Sequence, residues 1–306
     1  MNAVNCRKVL LLVCAGIWFG WIYVGAADPI PKDFDKNLVA FTFHSDPNGE
    51  PTVPSGTCFF VIVRSTNNPN QAFMYMVTAK HVIQDQTTNH NYLPQALVRF
   101  RQREKSDQPM FTYFPLKATN GNSLVLTNSD PDVDLAVVPV SSNIVSTALI
   151  KGMDSDILAR DFHIKKFNIR EGDDMFFMGL FSIFYGAKIN VPLLRFGRLA
   201  MLSDERIPIG NGKSQNYYLM ETFAFPGNSG SPAFFYFSQQ RNPGDASFLL
   251  AGVVSAYYPQ WNDIKLRNTS VAPVSSENTG IAIITPAYLL HEILYSTDAE
   301  RIRAEK

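Results

Sequence analysis

The chain of 306 residues carries 27 basic and 27 acidic side chains, a formal net charge of +0, and 46% hydrophobic residues. This is globular composition, with enough chain for a sizeable core in one large domain or two small ones. Balanced charge leaves no basic footprint, so no nucleic-acid partner is expected.

The first element is apolar. Arg7 and Lys8 precede VLLLVCAGIWFGWIYVGAA, residues 9–27, which hold no charge and end in Gly25, Ala26 and Ala27. A positive start, an apolar middle and small residues at the end match a secretory signal peptide. The run is also just long enough to span a bilayer. Two outcomes stand: a signal peptide over 1–27 cut near Ala26 or Ala27, or an uncleaved anchor that tethers the chain to a membrane. Residues 28–306 leave the cytoplasm in either case. They are secreted or periplasmic in the first, and membrane-anchored outside the cytoplasm in the second. Cys6 and Cys14 lie in this segment. Cys58 then stands alone, an intramolecular disulfide is excluded after cleavage, and the fold must be held by its core. In SGTCFFVIV, Cys58 reads as a small buried hydrophobe.

Downstream, strand-like runs recur in two sets of six. The first set is LVAFTF, TCFFVIVRS, FMYMVTA, ALVRF, SLVLT and DLAVVPV. The second is DMFFMGLF, LLRFGRLAML, YYLMETF, SPAFFYF, FLLAGVVSAYY and GIAIITP. Turn signals such as Pro47-Asn48-Gly49, Asn120-Gly121-Asn122 and Gly210-Asn211-Gly212 separate them. Twelve short strands punctuated in this way predict an all-β barrel or sandwich protein rather than alternating βαβ units. A more polar stretch around 141–170 divides the sets and has room for a short helix. The tail has a helix start at Thr285-Pro286 and apolar residues at Tyr288, Leu289, Ile293 and Leu294, which predicts a C-terminal helix docked on the body.

Three segments carry chemistry: VTAKHV with His81, DPDVDLAVVPV with Asp134, and PGNSGSP with Ser229. Hydrolysis of an amide or ester by serine needs a base, a carboxylate to orient that base, and N–H donors for the oxyanion. A histidine, an aspartate and a glycine-flanked serine, in that order, supply these parts. Asp130 and Asp132 lie beside Asp134, but only Asp134 immediately precedes the apolar strand. His44, His90, His163 and His291 show no partner pattern and read as surface or structural residues. No His or Cys pair has metal-ligand spacing, so neither a metal nor another cofactor is expected. GNSGS differs from the nucleophile elbow Gly-x-Ser-x-Gly in its last residue. Asn268-Thr269-Ser270 is a glycosylation acceptor where the host glycosylates.

With these motifs the chain resembles the trypsin-like (chymotrypsin-fold) serine proteases. TAKH resembles their Thr-Ala-Ala-His segment, DLAV their Asp-Leu-Ala, and GNSGSP their Gly-Asp-Ser-Gly-Gly-Pro. GIAIITPAYLLHEIL resembles the closing strand and helix of the disulfide-free bacterial, HtrA-like branch. The resemblance spans roughly residues 38–298. It implies an all-β fold of two six-stranded antiparallel β-barrels with a C-terminal helix. Residues 28–145 then form the N-terminal barrel with His81 and Asp134, and 146–170 the linker. Residues 171–285 form the C-terminal barrel with Ser229, and 286–306 the helix and tail. It also implies Ser229 as nucleophile, His81 as general base and then acid, and Asp134 as orienting carboxylate. The N–H groups of Gly227 and Ser229 form the oxyanion hole.

Two departures qualify the resemblance. Asn228 stands where digestive members carry the aspartate that pairs with a newly cut N-terminus, and no Ile-Val-Gly-Gly-like activation sequence occurs. Activation by insertion of a new N-terminus is therefore not expected. Phe223 stands where trypsin-like members carry an acidic pocket residue, so a preference for Arg or Lys is not expected. Phe223, Ala224 and the strand around Ser255 are the expected substrate-binding positions, favouring an apolar or small residue of a polypeptide substrate. VVSAYYP, residues 253–259, is the strand expected to pair with it. The expected activity is a serine endopeptidase working through an acyl-enzyme. The alternative is a binding or sensing module on the same fold, catalytically silent or switched on by an activating partner. An esterase on the same barrels is a third reading.

Overall fold

The computed structural model describes residues 36–304 apart from 66–67, 69, 86–90, 105–106, 211, 238–247 and 264–273. The segment 1–27, His90 and the tripeptide Asn268-Thr269-Ser270 lie outside the described residues. Among the described residues no helix is long and apolar enough to cross a membrane.

Six strands make the main path of the eight-stranded first sheet: β1 (Val39–Ser45), β2 (Pro51–Arg64), β3 (Ala72–Thr78), β4 (Gln95–Gln102), β5 (Pro109–Pro115) and β6 (Ala136–Pro139). Their order is β5-β4-β1-β2-β3-β6, antiparallel throughout. Helix α1 (Ser142–Thr147) follows, then two-residue strands β7 (Ala148–Leu149) and β8 (Met153–Asp154), which pair onto β4 and β2, and helix α2 (Asp161–Lys166). The second sheet holds β9 (Asp174–Gly179), β10 (Leu193–Leu202), β13 (Tyr218–Glu221), β14 (Pro232–Tyr236), β15 (Phe248–Asp263) and β16 (Val274–Pro286). These close a barrel in the order β10-β13-β16-β15-β14-β9. A separate hairpin, β11 (Ile207–Gly210) with β12 (Lys213–Gln215), projects between β10 and β13. Helices α3 (Ala287–Leu294) and α4 (Thr297–Ala304) end the described chain.

The architecture is mostly β, an eight-stranded sheet with a six-stranded main path and a six-stranded barrel, but three expectations need correction. Only the second sheet closes into a barrel; the first is an open, curled sheet. The run SLVLT contributes isolated bridges, Lys117 to Ser123 and Leu126 to Val137, instead of a strand. The sixth strand of the path is β5, an edge strand bounded by Pro109 and Pro115, where the missing N–H of proline is tolerated. The C-terminal segment is two helices, not one. Ser296 restarts the chain as an N-cap, its Oγ accepting the Ala299 N–H at 3.3 Å.

The unbroken apolar runs of the sequence follow from burial on both strand faces. Along β2, Phe59, Val61 and Val63 enter a core shared with Phe176, Phe234, Leu290 and Ile293, whereas Cys58 and Phe60 enter the core of the first sheet. Phe177 and Phe235 fill the barrel interior. The shared core locks both sheets to α3, and the candidate site lies where they meet. Cys58 is fully buried with a free thiol, as its apolar context predicts.

Candidate active site

The register of β3 and β6 brings His81 and Asp134 together. Thr78 pairs with Ala136, so the residues just past one strand meet those just before the other. The Asp134 carboxylate is bonded twice: Oδ1 accepts the His81 backbone N–H at 3.1 Å, and Oδ2 meets Nδ1 at 2.7 Å. An ionised carboxylate only accepts, so Nδ1 carries the proton and Nε2 is left as the basic nitrogen. Lys80 steadies the pair by donating to the Pro131 carbonyl at 2.7 Å.

The neighbouring carboxylates are used elsewhere. Asp130 forms an ion pair with Arg206 at 2.7 Å, and Asp132 accepts the Ser214 N–H at 3.1 Å. Both tie the β11–β12 hairpin to the loop that leads into Asp134. The Arg206 guanidinium, bonded to Asp130, holds that carboxyl below the usual range. Tyr92 and Tyr217 flank the same region. Burial raises both phenols, with the Asp134 charge adding to it, and Tyr92 is pushed up to about 12.

Ser229 sits in a turn built by its own sequence. The Asn228 N–H donates to the Phe225 carbonyl at 2.9 Å, with Pro226 and Gly227 between them and Gly227 at φ +95°. Proline followed by a positive-φ glycine defines a type II turn. The Asn228 side chain closes it from inside, accepting the Phe225 N–H at 2.8 Å and donating to the Leu180 carbonyl at 2.7 Å. Gly230 donates to Val254, and Ser231 to Asn228. Among the described residues the N–H groups of Gly227 and Ser229 have no acceptor, although the amides around them are satisfied. Unpaired amides in a well-bonded turn are a place for an anionic oxygen.

The Ser229 hydroxyl donates a long bond, 3.4 Å, to the Ser255 carbonyl. No hydrogen bond from it to His81 is present among the described residues. Gly56 places the two segments side by side. A Cβ there would lie 2.8 Å from Val82, the neighbour of His81, and 3.2 Å from the Ser229 carbonyl.

Residues with no sequence signal hold this arrangement. Thr57 N–H donates to the Ser229 carbonyl at 2.9 Å, and its hydroxyl donates to the Gly227 carbonyl and accepts the Leu180 N–H, each at 2.9 Å. Thr78 Oγ1 donates to the Thr57 carbonyl at 2.8 Å. Nothing in SGTCFF distinguishes Thr57 from any other strand threonine.

Of the substrate-binding positions, Phe223 is 52% exposed, stacks on Phe225, and lies over Gly280. Ala224 is buried, its carbonyl accepting from Asn278 at 2.6 Å. Ser255 is buried with its hydroxyl against Thr285, so its carbonyl is the part that meets Ser229. The pairing of β14 with β15 stops at Val253, Val254 is bonded through both its N–H and its carbonyl to the Ser229 turn, and among the described residues no strand pairs with 255–258 on that edge. His163 and His291 lie apart, both bonded to Arg160, and His44 is exposed. Among the described residues no three His, Cys, Asp or Glu side chains are grouped to hold a metal ion.

Comparison with solved structures finds distant likenesses. One is the MamO protease domain from Magnetospirillum magneticum in its apo form, with 13% identity, 85% of this chain and 97% of that chain covered, and a TM-score of 0.47. Another is the HtrA-type protease AlgW with a tripeptide, with 18% identity, 85% and 60% covered, and a TM-score of 0.44. A third is Deg5, with 19% identity, 72% and 80% covered, and a TM-score of 0.41. Likenesses this distant carry no argument about activity. The chain matches no protein-family model, and no curated protein matches it.

Proposed function

We propose that the chain is an exported serine endopeptidase of the trypsin-like type, with Ser229 as nucleophile. One observation carries the reading. Asp134 grips His81 at two points and makes Nε2 the basic nitrogen, while among the described residues the Gly227 and Ser229 amides beside the serine hydroxyl lack acceptors. Base, orienting carboxylate, nucleophile and oxyanion donors are the complete set for acyl transfer.

The chemistry follows from these positions. Rotation about the Ser229 Cα–Cβ bond releases the weak bond to Ser255 and turns Oγ toward Nε2. His81 takes the proton as Oγ attacks the substrate carbonyl carbon, and Asp134 stabilises the imidazolium. The tetrahedral oxyanion is received by the N–H groups of Gly227 and Ser229. On collapse His81 gives its proton to the leaving amine, and the acyl group stays on Ser229. Water, deprotonated by His81, then releases the acyl group and restores the serine. The edge of β15 past Val254, where no described strand pairs, fits an extended peptide, and the Phe223 ring over Gly280 favours an apolar or small side chain over a basic one. Export rests on the apolar segment 9–27.

The bond from Ser229 to the Ser255 carbonyl also favours a second reading, a partner-activated module in which the hydroxyl stays turned away until a ligand binds. Incubation of the purified chain with unfolded polypeptides, followed by mass spectrometry, separates the two. Cleavage after apolar or small residues, absent in Ser229→Ala, supports the peptidase. Stable binding without cleavage supports the module.

A further inference from the structure

Arg99 on β4 lies in the first sheet, away from the three proposed catalytic side chains, and is 2% exposed. Among the described residues its guanidinium meets no carboxylate. It donates instead to the Asn190 side chain at 2.9 Å and to the carbonyls of Gly186 at 2.8 Å, Ala187 at 3.0 Å and Tyr185 at 3.4 Å. Its face lies over the Tyr185 ring, 5.4 Å from the centroid. Asn190 answers by donating to the Arg99 carbonyl at 2.8 Å. A buried cation spent wholly on one loop is an expensive arrangement unless the position of that loop matters.

The loop joins β9 to β10 and starts at Leu180. Leu180 is the residue on which the Ser229 turn rests. Its carbonyl accepts the Asn228 side chain, its N–H binds Thr57, and its side chain would lie 2.9 Å from a Cβ at Gly227. The neutral Asn228 side chain finds its inner partner there. We infer that Arg99 is a positioning residue for the oxyanion turn, acting through the 180–190 loop. The inference rests on Ser229 being the nucleophile only for its catalytic consequence; the physical coupling is separate.

Amide hydrogen exchange on the full chain tests the coupling without any activity. Arg99→Lys keeps the charge but loses the fork, and Asn190→Ala removes the reciprocal bond if the first variant fails to fold. In either folded variant, exchange at the bonded amides of Asn228 and Ser231 rises at least tenfold, with β15 and β16 unchanged. In the same variants the rate of fluorophosphonate labelling falls by a comparable factor, while the pH profile of the residual rate keeps its shape. Exchange at 225–231 equal to wild type overturns the inference. Raised exchange in a protein whose wild type takes no label sinks the catalytic reading instead and leaves the coupling standing.

Discussion

Thr57 and Gly227 stand 170 residues apart in the chain, yet the Thr57 hydroxyl donates to the Gly227 carbonyl at 2.9 Å while accepting the Leu180 N–H. One side chain of the first sheet thereby fixes both the turn that carries Ser229 and the residue that supports it. Thr57→Val keeps the shape and leaves a buried N–H and a buried carbonyl unpaired, at roughly 1–3 kcal/mol for each. Urea unfolding should show that loss, and Thr57→Ser should recover most of it.

Gly230 makes a second, sharper prediction. Its φ is +85°, and a Cβ there would stand 2.0 Å from the Thr57 carbonyl oxygen and 2.4 Å from Thr78 Oγ1. Gly230→Ala should destabilise by more than about 3 kcal/mol, since steric overlap adds to the left-handed backbone cost. Gly121, with φ +83° and nothing within 4 Å, is the control. There alanine should cost only about 1–2 kcal/mol, the backbone share alone. Equal losses at the two positions would refute the packing argument.

The two histidines on Arg160 set an acid-side limit to stability. Burial first, then the Arg160 charge, lowers the pKa of both His163 and His291. Below the unfolded value of about 6.5 the unfolded chain takes up protons that the folded chain refuses. Their contribution is therefore whole above that pH and is lost progressively as pH falls from it through the lowered folded values. The urea midpoint should drop between about pH 7.5 and 5, and the double variant His163→Gln, His291→Gln should show a smaller drop.

Cys58 should be chemically silent. Its thiol is fully buried, and burial pushes its pKa up, so little thiolate forms. A disulfide reagent should label it only in step with global unfolding. Rapid labelling of the native chain would contradict the packing of the first sheet.

Much of this architecture is legible in the sequence, because strand runs, turn residues and the order of His81, Asp134 and Ser229 are local signals. The turn at Ser229 is likewise written in Pro226-Gly227. The edge strand Pro109–Pro115 is not, since its prolines and half-exposed pattern resemble a loop. Neither are Thr57, nor Arg99 with Asn190, whose side chains bond across 91 residues of sequence. Such contacts depend on how the sheets close on each other, and the residue types involved are ordinary. The two proposed oxyanion donors fall between these cases. Gly227 is visible as a glycine, but that its N–H and that of Ser229 lack acceptors among the described residues follows from the folded turn alone.

The most direct test of the central claim is reaction of the purified chain with a fluorophosphonate, followed by intact-mass and peptide mapping. A single adduct on Ser229, absent in Ser229→Ala and slowed at least a hundredfold in His81→Ala, is the predicted result, because the serine is activated only through that imidazole. A folded wild type that takes no adduct, or one labelled on Ser229 at the same rate without His81, would contradict it.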